Sequence, residues 1–358
     1  MNLGLGWGIS NSELVVFKAL CGSTNAASAG SKGGERGAAK ISDYGKSLAS
    51  RLDASESVVS RALNSLAEKK LVLLNRNGKR KNAAISDAPH ALAFKAFFAA
   101  RPYFDERLLA FSSIRVLSGL LFPNASVARV KRASFLPEIT IRRVLSKLLD
   151  AGAIGRRGSS DYFILMPELK TAVSEYVSFA VTQVTQNALQ NAGGSLIARG
   201  PYGFLRTSAA GESIQRFPRF AKPTGLSVLN EFGVSVIQTD FKDYYYNVFG
   251  VVGKPSLEDA VVHVLLRSTL SPSAREASYA LLVLHKNKKK VNAKKLLMVA
   301  GDLGVEQAAR QALDFVDSFD SFVEGREIKS LAGEGFPRVE GPVFPSVEEF
   351  KELVKEYG

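Results

Sequence analysis

The sequence predicts an α+β protein with two similar small helical domains in its first half and a different domain in its second half. The apolar positions of Ser55–Val72 recur in residues 137–154 at a constant offset of 82 residues. In the second half, strand-like segments come first and helical segments follow from Pro255 onward, the order of an α+β domain. Residues 1–192 hold 26 Lys and Arg against 14 Asp and Glu, a net charge of +12, whereas residues 193–358 hold 21 and 20. The length of 358 residues accommodates two or three such domains.

The first copy of the repeat begins with a predicted helix from Asn11 to Cys21. Residues 22–39 predict a flexible insertion, because aligning the first helices of the two copies needs an offset of 100, which is 18 residues more than the later motif. A passive loop is favoured for this insertion, and a mobile basic arm is the alternative. A short second helix is predicted from Ile41 to Leu52, and Ser55 is predicted to cap the third helix.

A hairpin follows the third helix in each copy. In the first copy the strands are predicted near Leu71–Leu74 and Ala83–Ile85, with an Asn77-Gly78 turn signal between them. The second copy repeats this order, with helices predicted at residues 106–121, 126–133 and 137–151 and a hairpin at 154–165. Three helices followed by a basic hairpin define a winged helix.

In such a domain the third helix buries its apolar stripe and can place its polar face in the DNA major groove. The candidate DNA contacts are therefore the polar and basic residues of the two third helices and the cations of the two hairpins. These candidates are Ser57, Ser60, Arg61, Asn64, Arg76, Lys79, Arg80, Lys81, Thr140, Arg142, Arg143, Lys147, Arg156 and Arg157. The positive charge of this half favours double-stranded DNA as the partner over the interpretation that the charge only aids solubility.

Residues 167–192 predict one long connecting helix, with Pro167 in its first turn and Gly193-Gly194 after its end. Packing on the following domain is the favoured interpretation of its apolar stripe, and a dimer helix is the alternative, so a homodimer stays open. The predicted domains are 1–102 (first winged helix, with the insertion 22–39), 103–166 (second winged helix), 167–192 (connecting helix), 193–332 (α+β domain) and 333–358 (linker and C-terminal helix). Within the α+β domain, strands are predicted at 195–199, 202–206, 234–238 and 244–249, a short helix at 226–232, and helices at 256–268, 271–285, 292–303 and 305–319.

The segment Ser55–Val72 resembles the recognition helix of MarR- and ArsR-like winged-helix regulators, which carry a Ser-x-x-x-Val-Ser-Arg-x-Leu pattern. The resemblance covers about residues 11–86 and, more loosely, 106–165. It implies base and phosphate contacts for Ser57, Ser60 and Arg61, and through the repeat for Thr140, Arg142 and Arg143. The second copy departs from the pattern, since Arg142 stands where the first copy has Ser60. This departure implies phosphate contact rather than base reading.

The second half is dimly similar to the C-terminal region of AbiEi-type antitoxins and to nucleotidyltransferase-like proteins, through Pro255–Asp259 at the beginning of a helix and Arg275 in the next helix. AbiEi-type proteins join a winged helix to such a domain, repress transcription and counter a nucleotidyltransferase toxin. The resemblance therefore implies a transcriptional regulator with a toxin or a ligand as its second partner. The tandem winged helices depart from that family.

A working nucleotidyltransferase needs a Gly-Gly/Ser turn for the phosphates and a spaced carboxylate pair for Mg²⁺. Gly193–Ser195 supplies a candidate turn, but Glu212 stands alone, and Asp240 and Asp243 have the wrong spacing for one face of a strand. We therefore predict no catalytic residue, no metal site and no cofactor. A nucleotidyltransferase-like enzyme acting on nucleic acid or nucleotides is the alternative function.

The remaining features set the cellular context. Cys21 is the only cysteine, which excludes a disulfide framework, and three scattered histidines do not indicate a zinc site. The sequence shows neither a signal peptide nor an apolar run of about 18 residues, so we expect a cytoplasmic protein without membrane contact. The lysines of Lys286–Lys290, with Lys294 and Lys295, predict a solvated loop, and a second contact with nucleic acid or an acidic partner is the alternative.

Overall fold

The computed structural model describes residues 7–28, 44–77, 80–123, 125–158, 160–189, 193–208, 221–235, 240–323 and 342–357. Within these ranges the chain combines helices with small antiparallel sheets, which confirms the predicted α+β class. The chain divides into two compact units, Met1–Val181 (the first unit) and Thr182–Gly358 (the second unit). None of the helices in the described ranges is long and apolar enough to cross a membrane.

The first copy of the repeat has the predicted order of three helices and a hairpin. Its elements are α1 (Asn11–Ser28), α2 (Tyr44–Arg51), α3 (Glu56–Glu68), β1 (Val72–Asn77) and β2 (Arg80–Ile85), the two strands pairing antiparallel. The predicted insertion at residues 22–39 is wrong in its first part, because α1 continues through Ser28, and residues 29–43 lie outside the described ranges. Residues 22–28 contain no proline, and Gly22 is their only glycine. A single glycine costs a helix only about 1 kcal/mol, so this stretch does not stop α1.

The core of the first copy joins α1 and α3 to a following helix, α4 (Pro89–Ala100). Phe17 of α1 is buried and meets the ring of Phe94 edge-on at 6.4 Å between ring centroids. Val59 and Leu66 of α3 are also fully buried. Because burying one such side chain contributes about 1.5–3 kcal/mol, α3 is anchored by one face and leaves the opposite face to solvent.

The second copy repeats the order with shorter helices. It contains a 3-10 helix at Glu106–Leu109, followed by α5 (Ser112–Gly119), α6 (Val127–Ser134), α7 (Glu138–Asp150), β3 (Ile154–Arg157) and β4 (Asp161–Ile164). The prediction of one helix over residues 106–121 is wrong, because Phe111 has a φ of 33° and a positive φ cannot continue a right-handed helix. The amide of Phe111 donates instead to the carbonyl of Ile9 at 2.8 Å. Ala125 forms an antiparallel bridge with Tyr162, which holds the segment before α6 against the hairpin.

The long helix α8 spans Pro167–Leu189, as predicted, and residues 190–192 lie outside the described ranges. Its apolar stripe inside the first unit, including Leu169 and Val173, is buried. The hydroxyl of Tyr176 donates to the carbonyl of Trp7 at 2.9 Å, and His90 stacks on Phe179 at 3.9 Å between ring centroids. Residues of the first unit therefore cover this part of the stripe. The favoured prediction that the stripe packs on the following domain is wrong for this part, which is not an open surface for a second copy either.

The second unit begins with a four-stranded antiparallel sheet in the order β5-β6-β8-β7. Its strands are β5 (Gly194–Arg199), β6 (Tyr202–Thr207), β7 (Lys222–Pro223) and β8 (Lys242–Asn247), with a 3-10 helix at Gly225–Phe232 before β8. Strand β8 lies two residues earlier than predicted. The strand predicted at 234–238 is wrong where it is described, since Val234 and Ser235 have no regular structure, and residues 236–239 lie outside the described ranges.

Helices complete the second unit. They are α9 (Leu257–Leu270), α10 (Ala274–Lys286), α11 (Ala293–Leu303), α12 (Glu306–Val323) and α13 (Val347–Tyr357). The hydroxyl of Ser256 accepts from the amide of Asp259 at 3.3 Å, and the Asp259 carboxylate accepts from the amide of Ser256 at 3.0 Å. This capping box satisfies backbone amides at the beginning of α9. Most of the predicted linker before α13 lies in residues 324–341, outside the described ranges.

Candidate nucleic-acid interface

The third helix of the first copy, α3, presents one polar face to solvent. Its buried face consists of Val59, Ala62, Leu63 and Leu66. Ser57, Arg61 and Asn64 are exposed, and Ser60 is half-buried. Because residues three, four and seven positions apart lie on the same side of an α-helix, these four candidates share one side of α3.

Hydrogen bonds orient the beginning of this face. The Nε of Arg61 donates to the carbonyl of Ser57 at 3.3 Å, so the arginine lies along its own helix. Ser55 is the N-cap residue of α3, as predicted, but its hydroxyl accepts no hydrogen bond from the backbone amides of the helix. Its hydroxyl lies 3.0 Å from the hydroxyl of Ser57 instead. Both hydroxyls stand at the N-terminal end of α3.

A buried ion pair positions α3 against α1. The Nζ of Lys69, the residue after α3, lies 2.5 Å from Oε1 of Glu13, and both residues are buried. Burial raises the pKa of Glu13, but hydrogen bonds from Lys69, Ser65 and Ser10, with the charge of Lys69, hold that pKa below its usual value. An open cleft of about 490 Å³ lies beside this pair and Arg61. Sequence reasoning missed the pair, because no local pattern relates residues 56 positions apart.

The third helix of the second copy, α7, also has one buried apolar face and one exposed polar face, and its exposed face carries more positive charge. Its buried face consists of Ile141, Val144, Leu145 and Leu148. Arg142, Arg143 and Lys147 are exposed, and Thr140 is half-buried. The offset of 82 residues places Arg143 at the helix position of Arg61. Both third helices therefore carry an exposed arginine at the same point.

Arg142 shares its charge with a carboxylate of its own helix. Its Nε and Nη2 donate to Oε1 of Glu138 at 2.9 and 2.6 Å. The hydrogen bond and the charge of Arg142 lower the pKa of Glu138. Exposed pairs of this kind are weak, so Arg142 is held only loosely by Glu138. Because Glu138 offsets the charge of Arg142, Arg143 and Lys147 carry more of the positive field of α7.

The hairpin of the first copy carries four of the candidate cations. Its register pairs Arg76 with Lys81 and Asn77 with Arg80. Lys79 lies outside the described residues, and so do the side chains of Arg76, Arg80 and Lys81. Their contact with DNA stays a prediction.

The hairpin of the second copy holds both of its arginines over aromatic rings. The guanidinium of Arg156 lies 5.7 Å from the ring centroid of Tyr162, and that of Arg157 lies 5.7 Å from the ring centroid of Phe163. Both arginines are exposed, and a cation–π contact at an exposed site contributes about 0.5–1 kcal/mol. Gly155 makes room for this arrangement, since a Cβ there would lie 2.6 Å from Cζ of Phe163. The hairpin therefore presents two ordered cations.

In the second unit, Asp243 belongs to a buried ion network. Arg206 donates to both of its carboxylate oxygens, from Nε at 2.7 Å and from Nη2 at 2.9 Å, and Nε of Arg267 lies 3.6 Å away. Arg206 also pairs with Glu276. Burial lowers the pKa of Arg206, but hydrogen bonds to the two carboxylates raise it above its usual value. Asp240 is exposed, and among the residues that the structure describes no group of three or more His, Cys, Asp or Glu could hold a metal ion.

The Gly193–Ser195 segment is not the turn that its composition indicated. Gly194 begins β5 and pairs with Thr207 of β6. The hydroxyl of Ser195 accepts from Nη1 of Arg267 at 2.8 Å. Because β5 from Gly194 onward is part of an antiparallel ladder, it does not form an open phosphate-binding loop.

The lysine cluster after α10 is partly engaged inside the second unit. The Nζ of Lys288 lies 2.7 Å from a carboxylate oxygen of both Asp317 and Asp320. Hydrogen bonds to these two carboxylates raise the pKa of Lys288. The Nζ of Lys295 lies 3.1 Å from Oε2 of Glu258. Lys289 and Lys290 are exposed in the turn between α10 and α11, as predicted for a solvated loop. The loop prediction is wrong for Lys286, which ends α10, and for Lys294 and Lys295, which lie in α11.

No protein-family model matches this chain, and a comparison with curated proteins gives no match. The likeness to MarR- and ArsR-like regulators therefore rests on Ser55–Val72 and on the element order of the two copies. The proposal for the function of this protein therefore depends on the geometry of α3, α7 and the two hairpins.

Proposed function

We propose that this protein is a transcriptional regulator that binds double-stranded DNA through two tandem winged helices. One observation carries the proposal: α3 and α7 each bury a complete apolar face, expose a polar or basic face and lead into an antiparallel hairpin. The major groove of B-DNA is about 12 Å wide and admits one helix presented in this way. No cofactor is required for such binding.

The charge distribution supports the same partner. Residues 1–181, the first unit, have a net charge of +12, and the second unit has +1. Positive charge on the unit that carries both third helices attracts a polyanion. In this proposal Ser57, Ser60 and Arg61 hydrogen-bond to base edges, while Arg143 and Arg157 contact phosphates.

Binding of the full chain to duplex DNA should depend steeply on salt. Neutralising about six to ten phosphates predicts an affinity loss of roughly 10³–10⁵ between about 50 and 200 mM salt. Fluorescence anisotropy of a labelled random-sequence duplex measures this dependence. Each phosphate contact contributes about one unit to the slope of log K against log salt, so the double variant Arg143→Ala/Lys147→Ala should lower it by about two.

The matched control removes two exposed cations from the second unit, Lys289→Ala/Lys290→Ala. This double variant should leave the slope unchanged. A wild-type slope near zero contradicts the proposal. Equal changes from both double variants contradict the assignment of the contact to α7.

We further propose that the protein acts in the cytoplasm and that the second unit binds a protein partner of the toxin type or a ligand. Its near-neutral charge and its own apolar core support a separate binding role.

The engagement of Asp243 by two arginines disfavours the alternative of a nucleotidyltransferase-like enzyme. Incubating the full chain with labelled nucleotides and Mg²⁺ or Mn²⁺ should give no transfer. Transfer that is lost in Asp240→Asn, which leaves the buried pairs of Asp243 intact, would favour the enzyme. A homodimer stays a prediction.

A further inference from the structure

One large apolar side chain on α7 faces solvent. Ile139, the second residue of this helix, is 80% exposed. The other isoleucine of α7, Ile141, is fully buried with the rest of the apolar face. Because single exposed apolar side chains are common on protein surfaces, the inference depends on where Ile139 stands on α7.

The repeat aligns Ile139 with an exposed residue near the beginning of the other third helix. The offset of 82 residues places Ile139 on Ser57, which is also exposed, at the second residue of α3. In helix-turn-helix proteins the residues at the beginning of the recognition helix contact base edges. The same helix position therefore carries a hydroxyl in the first copy and an apolar group in the second.

The surroundings of Ile139 favour nucleic acid over an apolar protein surface. Arg142 and Arg143 follow it by three and four residues, so they lie on the same side of α7. Both arginines are exposed, and the first unit has a net charge of +12. Arg142 is paired with Glu138 in an exposed and therefore weak ion pair, so among the described residues Arg143 is the unshared cation beside Ile139. An isoleucine next to exposed arginines matches a groove that presents phosphates at its edges and a methyl group on its floor.

We propose that Ile139 is a specificity-determining residue that contacts the C5 methyl group of thymine in the major groove, so that the second copy reads an A·T pair. The thymine methyl is the apolar group of the major groove, and apolar side chains recognise it. This inference rests on the proposed function. It also assigns base reading to a copy for which the sequence implied phosphate contact.

Removing single thymine methyl groups tests the inference. The full chain first selects its sites from a pool of random duplexes. Each thymine of a selected site is then replaced by deoxyuridine, which lacks only the methyl group and pairs in the same way. We expect one or two positions at which the dissociation constant rises about fourfold, the factor for roughly one apolar carbon returned to water.

Three variants assign the effect to its residue. Ile139→Ser, which copies the first helix, should bind the thymine and uracil duplexes equally, and Ile139→Val should keep most of the discrimination. Leu92→Ala removes a partly exposed apolar side chain from α4 and should keep all of it. Because Ile139 is exposed, we expect its variants to fold, which circular dichroism checks. The wild-type scan decides the existence of the methyl contact by itself.

The outcomes separate this inference from the proposed function. If no duplex binds, the proposed function fails and this inference fails with it. If duplexes bind with steep salt dependence but no thymine methyl matters, or if Ile139→Ser keeps the discrimination, the role of Ile139 is refuted and DNA binding stands. A change in oligomeric state by Ile139→Ser with unchanged discrimination would assign Ile139 to a contact between copies and would also overturn the inference.

Discussion

Replacing Asp243 with asparagine is expected to destabilise the second unit by about 2–4 kcal/mol. The Asp243 side chain is 9% exposed and accepts from Arg206 at 2.7 and 2.9 Å and from the amide of Leu226 at 3.3 Å. Asparagine keeps the shape but removes the charge, so Arg206 and the buried Arg267 lose their shared carboxylate. Breaking a buried pair costs about 3–5 kcal/mol, and the 20% exposure of the Arg206 side chain lets water recover part of that loss.

Native-state hydrogen exchange of the full chain in low urea measures this change for peptides from β6, β8 and α9. The matched control is Asp240→Asn, which removes an exposed carboxylate three residues away and should change the free energy of opening by less than about 0.5 kcal/mol. If Asp243→Asn changed that free energy by no more than the control does, the carboxylate would not be a structural partner of the two arginines. The case for an acidic active site would then reopen.

Two further predictions concern the second unit. Burial lowers the pKa of His263 to about 4 from the 6.5 of the ordinary side chain, so between these values the unfolded chain binds more protons than the folded one. Stability should therefore fall as the pH drops from 6.5 to about 4, with a slope of up to about 1.4 kcal/mol per pH unit. Urea titrations at several pH values should show that His263→Gln reduces this slope, and an unchanged slope would contradict the assignment. Gly203→Ala should cost about 1–3 kcal/mol, because the added carbon would overlap the ring of Tyr246, whereas Gly253→Ala, which meets no atom within 4 Å, should be nearly neutral. If hydrogen exchange showed the same loss of stability for Gly203→Ala and Gly253→Ala, the packing explanation would be refuted.

The helices and hairpins of both copies could be predicted from the sequence because their signals are local. The spacing of Val59, Ala62, Leu63 and Leu66 marks one face of a helix, and the structure buries those residues. The offset of 82 transfers the same face to α7. The same offset aligns Ile139 with Ser57, but an apolar residue type indicates burial, so the sequence alone did not mark Ile139 as an exposed position. The candidates on the hairpin of the first copy stay predictions of the sequence.

The tertiary structure decided the features that depend on residues far apart in the chain. Phe111 breaks a predicted helix because its amide bonds to Ile9, and helical periodicity carries no information about such a partner. The buried pair of Glu13 and Lys69 fixes α3 against α1 across 56 positions. In the sequence, nothing distinguishes Asp243 from other acidic residues. It becomes a structural partner of Arg206 only when β6 and β8 pair. Local spacing sets which face of a helix is apolar, whereas the environment of a charge is set by the elements that folding brings against it.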